Sequence, residues 1–289
     1  MNKLVAVAKL TRVEHSVMLI LAVIAAELLV GGIPLWYVFA LSLLTPALIS
    51  MGAFAINDYF DVETDRANKR TSRPLVSGAL NRREAYNIAL FCLAAGALLS
   101  LFINIAAFLI AAVFAALAYL YSYKLKDMFF VGNAYVAFAM VIPFLYGDYV
   151  VSNLLAFSII LISLIVFFSG LAREIHGTVR DAAGDSKVRR SKNVVHYLGD
   201  RRAAIIALTL YAWAILISIL MFGFVYPFRL NLVYIVPVTL ANLLFLYVGI
   251  GYVMMPNRKF YDLSRNLSLA GMAIAILAFL FSAVFVVYI

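Results

Sequence analysis

The chain has 289 residues, of which 66% are hydrophobic and 13% are charged, and its net charge is +9. Ordinary soluble domains are about half apolar and about a quarter charged, so this composition excludes a soluble globular protein, a disordered chain and a coiled coil. It leaves a polytopic helical membrane protein, in which the basic excess sets orientation beside an anionic leaflet and does not indicate nucleic-acid binding. The single cysteine, Cys92, excludes an intramolecular disulfide, a cysteine zinc site and an iron–sulfur cluster.

The apolar segments predict nine membrane-spanning helices, because each span needs about 20 apolar residues. A basic N-terminal stretch is followed by two spans separated by a glycine–proline break at 31–34. The next two spans lie within 85–123, with a turn near 102–105, and spans five and six meet near 147–152. The last three spans cover 203–228, 230–256 and 267–289.

The distribution of lysine and arginine fixes the predicted orientation. If the N-terminus is cytoplasmic, every lysine and arginine except Arg229 falls on the cytoplasmic side of a nine-span chain. We therefore expect a multi-pass protein of the cell membrane whose C-terminus lies outside. The two longest cytoplasmic loops, 57–84 and 173–202, each follow an even-numbered span and each open with an acidic cluster. This spacing predicts two four-helix units related by a parallel repeat, plus a ninth helix, in an all-α fold around a central cavity.

The first acidic cluster places three potential ligands on one helix face. Asn57, Asp61 and Asp65 are spaced at i, i+4 and i+8, and Asp58 lies at the edge of that face. Carboxylates on one face repel each other unless a cation compensates them. Oxygen ligands without histidine or cysteine are typical of magnesium, which keeps several waters and bridges to phosphate oxygens.

The second cluster repeats this pattern on the same predicted side of the membrane. Glu174, Asp181 and Asp185 share a helix face at i, i+7 and i+11. Two such clusters surrounded by basic residues predict a magnesium–diphosphate site. The loop that holds Lys124 and Lys126 is so short that both lysines are expected at the mouth of the helix bundle.

Several residues remain open to two interpretations. Most of the basic residues serve equally well to hold the topology. His176 either contacts a substrate or faces outward from a loop, and most of the aromatic side chains are expected to pack in the core or at the membrane interface.

The first motif resembles the UbiA superfamily of intramembrane prenyltransferases, and the resemblance covers the whole chain as a single domain of residues 1–289. The run from Asn57 to Arg66, with Asn68-Lys69 and the segment Arg73-Pro74-Leu75-Val76-Ser77-Gly78 after it, is similar to the archaeal digeranylgeranylglyceryl phosphate synthase branch of that superfamily. Tyr121-Ser122, Leu125-Lys126 and Gly132-Asn133 also match superfamily positions.

The resemblance implies a magnesium-dependent enzyme that moves a prenyl group, here geranylgeranyl, from an allylic diphosphate to a lipophilic acceptor within membrane lipid. The implied acceptor is geranylgeranylglyceryl phosphate, and no obligate protein partner is expected. The implied catalytic residues are Asp61, Asp65, Asp181 and Asp185. The implied ligands of two magnesium ions are Asn57, Asp61, Asp65, Asp181 and Asp185. The implied substrate-binding residues are Asn57, Asp58, Arg66, Arg73, Tyr123, Lys124, Lys126, Asn133 and Glu174.

The second motif departs from that branch, because Gly177 and Thr178 stand where the branch usually has lysine and aspartate. The departure affects the acceptor side, so an aromatic acceptor of quinone biosynthesis remains an alternative. A CDP-alcohol phosphotransferase lacks support, since the companion residues of its motif are missing. A membrane transporter is disfavoured because the acidic residues cluster at one membrane face and not at the midplane.

Overall fold

The computed structural model describes residues 2–128, 130–182 and 194–288, and these residues are helical apart from short connections. Short helical segments precede the first span and the seventh span. The helices are α1 (Lys3–Thr11), α2 (Ser16–Val30), α3 (Trp36–Ala67), α4 (Arg82–Leu99), α5 (Ile105–Tyr123), α6 (Val131–Val151), α7 (Phe157–Ala182), α8 (Val194–Leu198), α9 (Asp200–Phe224), α10 (Leu232–Met254) and α11 (Arg258–Tyr288).

The predicted all-α, nine-span architecture is confirmed. Within the described ranges, 9 helices are long and apolar enough to cross a membrane, and these are α2 to α7 and α9 to α11. The turn predicted near 102–105 falls between α4 and α5. The connection between spans five and six lies at 152–156, slightly later than predicted, and the ninth spanning helix begins at Arg258, well before the predicted 267.

Helices α3 and α7 continue into the segments that we predicted as cytoplasmic loops. Helix α3 has 32 residues, which corresponds to about 48 Å at the usual rise per residue, whereas the hydrocarbon core of a bilayer is about 30 Å thick. The charged final turns of α3 therefore extend past the apolar span. This extension gives the first acidic motif a rigid helical support.

Small residues allow α3 and α4 to approach closely. A methyl group on Gly52 would lie 2.9 Å from the carbonyl oxygen of Ala89, and one on Gly96 would lie 3.0 Å from the carbonyl oxygen of Thr45. Contact of this kind through small residues is how membrane helices gain packing energy where lipid is as apolar as leucine. The spanning part of α3 is thus held firmly beneath its acidic end.

The two acidic motifs belong to different hydrophobic clusters. Val62 of α3 is buried in a cluster built mainly by α1, α3, α4 and α5. Val179 of α7 is buried in a second cluster, built mainly by α7, α9, α10 and α11. Helix α11 packs against α10 and α7 and also against α2, so it joins the last helices of the chain to the first spanning helix.

Candidate active site

A cavity of about 920 Å³ lies where the charged ends of α3 and α7 meet the turn before α6 and the facing parts of α10 and α11. It brings the two acidic motifs, which are distant in sequence, to one place. The predicted site residues that line it are Asp61, Asp65, Arg73, Lys126, Asn133, Glu174 and Asp181. Asp185 lies outside the residues that the structure describes.

Asp61 is oriented through both of its carboxylate oxygens. The Lys126 Nζ atom lies 2.6 Å from Oδ1, and the Asn57 amide donates to Oδ2 at 3.1 Å. Asn57 does not line the cavity itself, but its i, i+4 position on α3 places it where it can hold Asp61. A short 3-10 helix, Leu125–Asp127, directs Lys126 toward α3, and the Lys126 side chain is only 10% exposed.

Asp65 is paired with the segment that follows α3. The backbone N–H of Arg70 donates to the Asp65 carbonyl at 3.0 Å, and this turn also brings the Arg70 guanidinium within 3.0 Å of the Asp65 carboxylate. The turn requires Lys69 to adopt a left-handed backbone conformation, with φ at 53°. The local fold thus supplies a cation to the second carboxylate of the motif.

Asp58, which was predicted to contact substrate, does not line the cavity. Its side chain is 2% exposed, and it is bridged by the guanidinium groups of Arg12, at 2.9 Å, and of Arg73. Burial lowers the pKa of the Arg12 guanidinium, and the adjacent Asp58 carboxylate acts in the opposite direction. The three side chains tie the N-terminal segment and the loop after α3 to the acidic end of that helix, so Asp58 holds the site together.

The second motif also pairs its acids with neighbouring arginines. Glu174 lies 3.1 Å from Arg173, and Asp181 lies 2.9 Å from Arg180. Thr178, at one of the two positions that depart from the superfamily pattern, accepts a hydrogen bond from Asn133 at 3.0 Å. This bond joins α6 to α7, which gives Thr178 a structural function inside the cavity wall.

Besides Asn57 and Asp58, three predicted substrate-binding residues do not line the cavity. Arg66 faces the exposed Glu63 at 3.6 Å, and Tyr123 is 63% exposed. Lys124 is also exposed, because the chain turns after α5 and only Lys126 of the two lysines points inward. The expectation that both lysines sit at the cavity mouth is therefore corrected to Lys126 alone.

Four arginines also line the cavity but were not predicted as site residues. Arg70, Arg173, Arg180 and Arg265 were treated as topogenic charges because basic residues near span ends usually have that function. Each of them lies within five residues of an acid in the sequence, and this proximity was the available signal. His176 is buried against Tyr252, with parallel rings whose centroids are 3.7 Å apart, so it does not face outward.

Comparison with known proteins identifies the chain. The profile of the UbiA prenyltransferase family matches residues 18–259. The chain belongs to the UbiA prenyltransferase family. It is a multi-pass membrane prenyltransferase, as the first acidic motif predicted.

Two relatives of this chain are archaeal enzymes. The digeranylgeranylglyceryl phosphate synthase of Archaeoglobus fulgidus is 34% identical over 239 residues, which cover 83% of this chain and 81% of that protein. The enzyme of the same name from Thermococcus kodakarensis is 37% identical over 188 residues, covering 64% of this chain and 65% of its own length.

Solved structures of UbiA proteins share the fold. A digeranylgeranylglyceryl phosphate synthase structure superposes with a TM-score of 0.80 at 27% identity, covering 98% of this chain and 99% of its own. A UbiA homologue from Archaeoglobus fulgidus bound to GPP and Mg2+ superposes with a TM-score of 0.66 at 20% identity, covering 93% of this chain and 99% of its own.

Proposed function

We propose that this protein transfers a geranylgeranyl group from geranylgeranyl diphosphate to the free hydroxyl of geranylgeranylglyceryl phosphate in ether-lipid synthesis. The observation that carries the proposal is the single cavity in which Asp61, Asp65 and Asp181 stand together with Lys126. The archaeal relatives at 34 to 37% identity support the choice of donor and acceptor.

We propose that two magnesium ions bind with the diphosphate. The candidate ligands are Asn57, Asp61, Asp65, Asp181 and Asp185. The described side chains fit such ions by chemistry, since three of the candidate carboxylates and Glu174 line the cavity and cysteine does not contribute to its described wall. Magnesium usually keeps several waters and bridges to phosphate oxygens, so a few carboxylates are enough to hold it beside a diphosphate. When bound, magnesium neutralises part of the diphosphate charge.

The chain's own cations would stabilise the leaving group. Lys126 and Arg70 lie beside the two carboxylates of the first motif, so they would face the diphosphate as its bond to the first prenyl carbon breaks. The acceptor oxygen forms the new bond to that carbon, and its proton is released. Enclosure by the helices keeps water away from the allylic cation.

The same proposal includes a topology and a domain organisation. Residues 1–289 would form a single domain, with the N-terminus and both acidic segments on the cytoplasmic side and the C-terminus outside. Arg229 is the only basic residue that this orientation places outside, and this asymmetry supports the proposal.

A reconstituted assay with purified protein tests the function. Geranylgeranyl diphosphate would be supplied with geranylgeranylglyceryl phosphate or with aromatic acceptors, with magnesium or with a chelator. We expect ether-lipid product and diphosphate only with the glycerol lipid and only with magnesium. Prenylation of an aromatic acceptor without reaction of the glycerol lipid would contradict the proposal.

A further inference from the structure

Among the described residues, one basic side chain of the cavity wall has no ion-pair partner. The other lysine and arginine side chains of the cavity wall each form an ion pair, namely Lys126 with Asp61, Arg70 with Asp65, Arg73 with Asp58, Arg173 with Glu174 and Arg180 with Asp181. Arg265 of α11 lines the same cavity but its guanidinium forms no ion pair or hydrogen bond with any residue in the described ranges. An unpaired guanidinium facing a cavity is suited to an anionic ligand.

His176 provides a second, independent indication of a ligand on this side. It is 3% exposed and lines the cavity, yet neither ring nitrogen has a hydrogen-bond partner in the described part of the chain. Buried polar atoms are nearly always satisfied, so two unpartnered nitrogens on a ring of the cavity wall point to a group that enters the cavity. Stacking on Tyr252 fixes the plane of the ring.

The surrounding wall has room and rigidity for such a group. A methyl group on Gly177, the neighbour of His176, would meet no atom within 4 Å, so the space beside this turn of α7 is open. Ser264 and Ser268 present two more hydroxyls from the face of α11 that carries Arg265. Ile175 of α7 and Tyr252 of α10 belong to the same hydrophobic cluster, which keeps these helices in register.

We propose that Arg265 and His176 bind the phosphate of the acceptor lipid, at a site separate from that of the donor diphosphate. The inference rests on the proposed function, in which the metal-binding acids of both motifs, together with Lys126, receive the diphosphate. An arginine can bind a phosphate in a bidentate manner without a metal. A phosphorylated glycerol lipid thus matches the α7–α11 wall, and an uncharged alcohol does not.

The first test is steady-state kinetics of Arg265→Ala at saturating geranylgeranyl diphosphate. We expect the KM for geranylgeranylglyceryl phosphate to rise about tenfold or more, because a charge-assisted hydrogen bond is lost. The KM of Arg265→Ala for the donor should stay within about twofold of the wild-type value. Arg265→Lys should recover part of the loss in acceptor binding. His176→Phe keeps the stacked ring and should give a smaller rise in the acceptor KM. Arg258→Ala is the matched control, since Arg258 is exposed on the same helix and does not line the cavity.

The second test uses acceptor chemistry. The wild-type protein should prefer the phosphorylated lipid to the same lipid without phosphate, and Arg265→Ala should lose that preference. An unchanged preference, or an effect of Arg265→Ala on the donor KM alone, would overturn the proposal.

Direct binding of the phosphorylated lipid without donor separates this inference from the proposed function. If the wild-type protein binds the lipid, Arg265→Ala does not, and no turnover follows, then the proposed function is wrong and the phosphate site stands. If both proteins bind the lipid equally, the phosphate site is wrong whatever the turnover.

Discussion

Asp61 is held between two side chains, Lys126 at one oxygen and Asn57 at the other, before any substrate binds. Such pre-orientation matters because electrostatic stabilisation is effective only when the groups need no reorganisation at the moment of reaction. Asp181 is less constrained, with 62% of its side chain exposed and Arg180 as its ion-pair partner. The two motifs therefore contribute one fixed and one more adaptable carboxylate.

Asp61→Asn and Asp181→Asn should each lower kcat/KM by about a hundredfold or more, because each removes a charge that is needed to hold the metal–diphosphate complex. Both substitutions keep the side-chain shape, so the melting temperature should change little. Radiolabelled prenyl transfer and thermal melting in detergent measure the two quantities. Glu63→Gln serves as the control on α3, since Glu63 is 66% exposed and outside the cavity; activity retained by both aspartate variants would place the metal site elsewhere.

Asp58→Ala should mainly destabilise the protein. It would leave the guanidinium groups of Arg12 and Arg73 without their shared partner, and breaking a buried pair in this way costs about 3 kcal/mol or more of unfolding free energy. A lower thermal midpoint in detergent is the expected measurement. Glu63→Ala breaks only exposed pairs and should change the unfolding free energy by less than about 1 kcal/mol. Equal midpoints for the two variants would contradict the structural role of Asp58.

At this scale the sequence predicted the face shared by Asn57, Asp61 and Asp65, because helical periodicity alone determines it. It did not predict that Arg70 pairs with Asp65, since that contact depends on the left-handed turn at Lys69. The sequence also did not decide whether His176 contacts a substrate or faces outward from a loop. Burial of a single polar residue depends on which helices surround it, and periodicity does not contain that information.

At the scale of elements, the connection between α5 and α6 determines where Lys126 points. Gly132, in the first turn of α6, lies against this connection, and a methyl group there would be 3.0 Å from the Lys126 carbonyl oxygen and 3.3 Å from its Cα. The close approach leaves little room for any side chain. A small residue in α6 is thus part of what positions a charge 2.6 Å from Asp61.

Gly132→Ala should therefore displace the Lys126 segment and lower activity by about tenfold, because a displacement of about 1 Å in an active site can slow catalysis strongly. The KM for the donor should rise more than the KM for the acceptor. Initial-rate measurements with each substrate varied test this. The control is Gly223→Ala in α9, where an added methyl group would meet nothing within 4 Å and no change is expected. Unchanged donor kinetics in Gly132→Ala would show that the approach is not tight in solution.

The number of membrane-spanning helices was predictable from the sequence, whereas the residues at which they begin and end were less predictable. The apolar runs predicted the nine spanning helices found in the described ranges, because each run is long enough to cross a bilayer. The polar extensions of α3 and α11 were not predicted. Charged residues next to an apolar run are as typical of a loop as of a continuing helix, so they do not show where the helix ends. Those extensions are where Asp65 and Arg265 lie.

At the scale of the molecule, the charge asymmetry makes the orientation testable. Single cysteines at Ser77, in the loop after α3, and at Asn153, in the loop after α6, should be labelled from opposite sides of the membrane by an impermeant reagent. Both positions are exposed, and the native Cys92 is buried and serves as the unreactive background. Labelling of both cysteines from the same side would exclude the proposed orientation.

The juxtaposition of the two motifs is a property of the whole fold that spacing could only suggest. Equivalent positions after even-numbered spans predicted the same membrane side, but the packing that joins α3 to α7, through α2 and α6, was not predicted. The departures at Gly177 and Thr178 were likewise visible in the sequence, whereas the Asn133–Thr178 bond that accommodates one of them was not.

The ion pairs within the cavity have a consequence for the order of ligand binding. A diphosphate that binds alone would draw Lys126 and Arg70 away from Asp61 and Asp65 and leave these two carboxylates without a compensating charge. A divalent cation that binds alone to the two carboxylates would leave Lys126 and Arg70 without a compensating charge. When both ligands bind, the carboxylates pair with the cation and the basic side chains pair with the diphosphate. Each ligand therefore strengthens the binding of the other by the same factor. The cavity thus selects a divalent cation and a diphosphate together over either ion alone, and phosphates that carry no divalent cation would compete poorly for it.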